Sequence, residues 1–211
     1  MDNLKALYEE LQKHLLEDDK PSIYLNNKLQ EGIINSTYPF NMLSDLIKIE
    51  QSATHHPEGN VWNHTLMVVD EAAKRKDMSK DPRIFMWAAL LHDLGKAPTT
   101  RLRKGRITSY DHDKVGKELS VEFLKSFTDE STFINEVAAL VRWHMQVLFV
   151  VRELPFADIK NMLSEVDIEE IALLSLCDRL GRGNMTKEKI SAEKKNIEDF
   201  TRKCKDYLIK I

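Results

Sequence analysis

The stretch from Asp81 to Lys96 limits this chain more than any other. Ile84, Phe85, Met86, Trp87, Ala88, Ala89, Leu90 and Leu91 follow one another without a polar residue. A helix built from them is apolar on nearly every side, and such a helix must be buried. His92, Asp93, Leu94, Gly95 and Lys96 come directly after it. Gly95 is placed to end the helix as a C′ glycine. That sets Asp93 in the last turn, where the negative end of the helix dipole disfavours a carboxylate. An unpartnered charge buried there costs several kcal/mol. A bound cation removes both penalties, and a neighbouring histidine is its usual companion ligand.

The remaining segments supply the helices such a core needs. Leu4, Leu7, Tyr8, Leu11 and Leu15 form one stripe, with Asp2 or Asn3 as its N-cap. Short helices are expected near residues 22–29, after Pro39 and after Pro155, and longer ones over 61–74, 113–127, 130–145, 168–180 and 192–208. Residues 99–110 differ: two polar runs flank Lys104-Gly105, a β-hairpin pattern, and strand is expected nowhere else. The reading is an all-α, single-domain helical bundle, with residues 1–50 as an N-terminal helical extension packed on the core and 51–211 as the functional domain closed by a C-terminal helix.

A net charge of −3 gives no global field for binding DNA. Cys177 and Cys204 lack zinc spacing and suggest no disulfide framework, which fits a cytoplasmic protein. No signal peptide and no apolar run of the ~18 residues that span a membrane is apparent, so no membrane partner is expected.

Several histidines and aspartates share inward helix faces. His64 lies in line with Val61 and Val68, and His144 continues the stripe Val137, Leu140, Val141. Asp178 falls on the face of Ile171 and Leu174, where a carboxylate must be paired, protonated or metal-bound. Arg179 or Arg182 could pair with it. His112 opens a helix between Asp111 and Asp113, either of which could cap it, while His14 is expected on the exposed side of the first helix. His64, His92, Asp93 and Asp178 together supply two imidazoles and two carboxylates. That set suits one tightly held divalent ion, Mn, Fe, Co, Ni, Zn or Mg, with positions left open for water and a phosphate oxygen.

His64, His92-Asp93 and Asp178 resemble the H…HD…D signature of HD-domain metal-dependent phosphohydrolases. Three longer stretches, His55 to Thr65, Leu90 to Lys96 and Gly105 to Gly116, resemble the HD domain carried by bacterial tRNA nucleotidyltransferases. The resemblance covers residues 50–182. It implies an all-helical HD fold and 2′,3′-cyclic phosphodiesterase, 2′-nucleotidase or phosphatase activity. Asp111 stands where a glycine is expected, and a single His144 stands where two-metal members carry adjacent histidines, leaving room for a second, weaker ion. The first 50 residues lack the Gly-Ser loop and paired aspartates of a nucleotidyltransferase head, so CCA addition is not expected of this chain.

The resulting expectation is metal-assisted hydrolysis of a nucleotide or small phosphoester, with RNA a secondary candidate partner. Asp93 would accept the proton of a metal-activated water, while Lys96, His112 and His144 balance charge on the phosphoryl group. His56, Arg101, Arg179 and Arg182 are the expected substrate contacts, the arginines as phosphate binders. The alternatives are a 5′-nucleotidase or dinucleoside-polyphosphate hydrolase, and a non-catalytic nucleotide- or RNA-binding module.

Overall fold

A computed structural model describes residues 2–210. The chain forms α1 (Asp2–Glu17), α2 (Pro21–Gln30), α3 (Ile33–Ser36), α4 (Asn41–Asp45), α5 (Val61–Ala73), α6 (Pro82–Leu91), α7 (Lys96–Thr99), β1 (Arg101–Arg103), β2 (Arg106–Thr108), α8 (His112–Lys125), α9 (Ser131–Trp143), α10 (Gln146–Val151), α11 (Ile159–Glu165), α12 (Ile168–Leu180) and α13 (Lys187–Ile209). The fold is an all-α bundle with one hairpin. In that hairpin Arg101 pairs with Thr108 and Arg103 with Arg106. Lys104 and Gly105 make the turn at φ 49° and 73°, the left-handed pair a tight hairpin requires.

The apolar helix α6 is the axis. Asp81 caps it by accepting from the backbone N–H groups of Arg83 and Ile84, with Pro82 at the first position. Phe85 through Leu91 are all buried, enclosed by α1, α5, α9 and α12. Helix α1 joins the same core: Tyr8 stacks on Trp87 at 4.9 Å, and Gln12 accepts from the Trp87 indole at 3.2 Å. Asn60, Asp167 and Thr186 cap α5, α12 and α13 through their side chains.

Several local expectations need correction. Asp2 and Asn3 lie inside α1, and the position before Asp2 is outside the described residues. His14 is half-buried, stacked on Tyr24 at 3.7 Å and bonded to Asp18 at 2.8 Å. Pro155 does not open a helix: α11 starts at Ile159, where Asp158 supplies the cap. The last helix starts at Lys187, because Thr186 accepts from the Lys189 N–H five residues earlier than the apolar stripe suggests. Asp111 takes the N-cap position of α8 at φ 58° without a side-chain cap bond. Its left-handed backbone explains why a glycine suits that place.

Ser131–Val151 is, by length and composition, apolar enough to cross a membrane, with a mean hydropathy of 1.2, contrary to the expectation that no such run exists. It is two helices broken at His144 and Met145, and 61% of its most apolar window is buried inside the bundle.

Two glycines bring the site's elements together. Gly95 is not a left-handed C′ residue; its φ is −64°. A Cβ on it would lie 1.9 Å from the His112 carbonyl oxygen and 2.6 Å from the Gly116 nitrogen. Only a glycine lets the turn after α6 touch the start of α8. At Gly181 a Cβ would lie 2.6 Å from Val68 Cγ2, so the end of α12 is drawn against α5.

Candidate metal centre

The two glycine contacts set His92 and Asp93 beside His112, and Asp178 beside His64. Asp93 lies just past α6, whose C-cap is His92. His144 comes from the break between α9 and α10.

The outer ring nitrogen of each histidine is committed. His92 Nδ1 meets the Ala89 carbonyl at 2.9 Å, His112 Nδ1 that of Ser109 at 2.7 Å, and His144 Nδ1 that of Val141 at 2.7 Å. A carbonyl only accepts, so Nδ1 carries a proton, and a ring holding that one proton points a bare Nε2 inward. His64 has a carboxylate instead: its Nδ1 is 2.9 Å from Glu58 Oε1.

Inward, acceptors face acceptors. His64 Nε2 lies 3.0 Å from Asp178 Oδ1 and 3.9 Å from Asp93 Oδ2. His92 Nε2 lies 3.2 Å from Asp93 Oδ2 and has no hydrogen-bond partner. His112 Nε2 and His144 Nε2 stand 3.2 Å apart, and they lie 3.6 Å and 3.9 Å from Asp93 Oδ1. All six side chains are buried. Converging lone pairs of this kind repel unless a cation or proton lies among them, so the residues fit a divalent ion. His64, His92 and Asp93 form one group able to hold it, with Asp178 beside them at 3.0 Å from His64 Nε2. His112, His144 and the other oxygen of Asp93 form a second group of the same chemistry.

The electrostatics follow. Burial alone would raise the carboxyl of Asp93, but His92, Lys96 and His112 outweigh it and hold the group well below the usual range. Asp178 is likewise held down against burial by His64, Arg179 and Arg182. Burial lowers His64, yet Asp178 and Glu58 raise it overall. His144 is pushed down to about 3 by burial and by the neighbouring His112 and His92. His112 is lowered mainly by burial.

The other expected site residues fall unevenly. Lys96 Nζ is 2.8 Å from both Asp93 Oδ2 and Gln51 Oε1. Lys96, Asp93, His112, His144, Asp178 and Arg182 border one cleft of about 1640 Å³. His56 and Arg179 also line it, but Arg101 does not. The Arg101 side chain is exposed and folds back on the Thr100 carbonyl at 2.7 Å; Arg103, two residues on, reaches the cleft instead. Two residues apart, the two arginines share a face of β1; Arg103 sits over the ring of Tyr110, itself a cleft residue, at 5.2 Å from its centroid. Asp178 has Arg179 Nε at 4.0 Å, but its close partner is His64. Sequence reasoning missed Glu58, whose Oε1 serves both His56 Nδ1 at 2.8 Å and His64 Nδ1, and whose Oε2 accepts from the Gly183 N–H at 2.9 Å. Its signal was an acid inside the stretch His55 to Thr65, six residues before His64.

An all-helical bundle that gathers imidazole and carboxylate acceptors at the floor of a cleft defines a His/Asp metal-binding helical protein. The chain belongs to the HD domain family, which it matches over residues 61–183, more than half its length. It is 34% identical over 143 residues to a multifunctional CCA protein of Halorhodospira halophila, 67% of this chain and 32% of the relative. To a multifunctional CCA protein of Mannheimia succiniciproducens it is 25% identical over 187 residues, 85% of this chain and 43% of the relative. The similarity to a multifunctional CCA protein of Actinobacillus pleuropneumoniae, 34% over 83 residues, covers 39% of this chain and 20% of the relative. The chain thus spans less than half the length of these relatives. Membership implies a divalent-metal-dependent phosphohydrolase.

Proposed function

We propose that this protein hydrolyses a nucleotide or small phosphoester, of the 2′,3′-cyclic phosphodiesterase, 2′-nucleotidase or phosphatase type. The observation that carries the reading is His92 Nε2, a buried acceptor without a donor, aimed at Asp93 on the floor of an open cleft. A divalent ion bound there supplies a Lewis acid and a water of lowered pKa to a phosphate ester.

The chain's own groups complete the site. Asp93, held ionised, keeps one oxygen toward His64 and His92 and the other toward His112 and His144. Lys96, fixed between Asp93 and Gln51, places a positive charge at the cleft wall where charge on a phosphoryl group develops. His112 and His144 present imidazole nitrogens that a substrate oxygen or a weaker second ion would meet. Arg179 and Arg182 add guanidinium donors further along the same cleft. The relatives' names support a nucleotide or RNA substrate. We place the protein in the cytoplasm, supported by its two buried free thiols.

The test is metal analysis of protein purified without chelator, followed by a phosphoester panel with each metal added back. Stoichiometric metal and metal-dependent release of phosphate or opening of a cyclic ester are expected. Metal-free protein that binds nucleotides without turnover would instead assign a binding module. Turnover confined to 5′-phosphates or dinucleoside polyphosphates would select the alternative enzyme.

A further inference from the structure

Beyond the acceptor cluster the cleft runs outward along the end of α10, the loop after it and the end of α12, and its lining turns basic. Arg152, Arg179 and Arg182 border it. Arg179 is only 8% exposed, and its one ion pair among the described residues is a 4.0 Å approach of Nε to Asp178. Arg182 Nε is buried without a partner. A guanidinium has five donors and no acceptor, so a buried one left unpaired is suited to an anionic ligand. Against these three positive charges the lobe sets Glu193, engaged by Asn196 at 3.0 Å, and Asp158, engaged by the Asn161 backbone N–H and side-chain amide at the start of α11. One phosphoester on the floor is already faced by Lys96, so three arginines exceed what it requires.

The same end of the cleft carries Phe149 and Phe156, with ring centroids 5.6 Å apart. Phe156 is 60% exposed. An exposed aromatic face beside arginines is how proteins hold a nucleobase regardless of its identity. The cleft, at about 1640 Å³, is also larger than the ~300–1,000 Å³ that accommodates a single small molecule.

We infer that this lobe is a second nucleotide subsite: the substrate is a strand of at least two nucleotides, its terminal phosphoester on the acceptor cluster, its next phosphate on Arg152, Arg179 and Arg182, and a base on Phe156. The end that is cleaved rests on the phosphohydrolase reading; the subsite is a claim about binding. Two measurements on the protein as purified keep them apart. A 2′,3′-cyclic mononucleotide is compared in steady state with a dinucleotide ending in the same cyclic phosphate. A fluorescent dinucleotide without a cleavable ester is titrated by anisotropy, with the matching mononucleotide as competitor.

The dinucleotide is expected to show KM and Kd roughly tenfold or more below those of the mononucleotide. Phe156→Ala and Arg152→Gln, both at exposed positions where the fold tolerates change, should each remove most of that advantage. Phe156→Tyr should restore the aromatic share. Equal affinity for the two lengths in the unmodified protein, or unchanged dinucleotide binding in both variants, overturns the subsite. Length-dependent binding without turnover of either compound upholds the subsite and removes the phosphohydrolase reading. Turnover of both compounds with no length preference does the reverse.

Discussion

The two sides of Asp93 are built differently. Toward Oδ2 stand His64 and His92, with the Asp178 carboxylate 3.0 Å from His64 and the Glu58 carboxylate behind it. Toward Oδ1 stand His112 and His144, backed by main-chain carbonyls and, among the described residues, joined by no further acid within ion-pair distance of their inward nitrogens. The first half concentrates negative charge, and His64 in it is raised; the second concentrates imidazole, and both His112 and His144 are lowered. A cation prefers the half with two carboxylates. The other half suits a weaker ion or the substrate itself, and the difference separates holding from turnover.

Asp93→Ala should break both halves at once. Metal content and phosphoester turnover are expected to fall to background in a protein that still folds, and full metal occupancy in the purified variant would remove Asp93 from the ligand set. His112→Ala and His144→Ala should divide the halves: the tight metal stays, while kcat drops about 10²–10³-fold, the usual cost of one charge-stabilising or proton-donating group. Metal content and kcat measured on the same preparations decide it. Loss of the tight metal in either variant would make the two halves one site.

Glu58→Gln acts one layer behind His64. Removing such a carboxylate typically weakens a metal site about 10–100-fold. A competition titration with a chromophoric chelator should show that loss, with kcat nearly restored at saturating metal. An unchanged affinity would mean that Glu58 only ties the loop to Gly183.

The smallest effect is on stability against pH in chelator-treated protein. His144 is pushed down to about 3, so between its ordinary 6.5 and that value the unfolded chain takes up a proton that the folded chain refuses. Acidification through that window therefore destabilises the fold. His64 is raised, so its stabilising share is full below 6.5 and is lost as pH climbs through its folded value. His144→Ala should flatten the acid decline of the urea midpoint relative to the unmodified protein, and parallel curves would erase this distinction between the halves.

Regular elements made much of this legible from sequence. His64, His144 and Asp178 sit on helical stripes, so periodicity alone points them inward, and α12 runs over the residues its stripe outlines. What was hidden depends on neighbours distant in sequence. Gly95 looks like a helix stop, but its role is the 1.9 Å approach to the His112 carbonyl, which no local pattern encodes. Glu58 lies in an irregular loop without a period. The break at His144 has neither proline nor glycine to mark it. Arg101 and Arg103 share a face of β1, and what tells them apart is the Tyr110 ring beside Arg103, seven residues further along the chain.

The inward orientation of three imidazoles rests on the carbonyl of the residue three positions earlier, at Ala89, Ser109 and Val141. Those oxygens belong to the main chain, so no side-chain replacement at the three positions deletes them. Drift there leaves the ring's proton where it is, provided the backbone keeps its course. His64 has no such insurance, because a single codon change at Glu58 removes its support. Related chains can therefore wander freely around three of the four histidines, while the fourth ties a loop residue to the centre and makes that residue the first place to look when a relative has lost its metal.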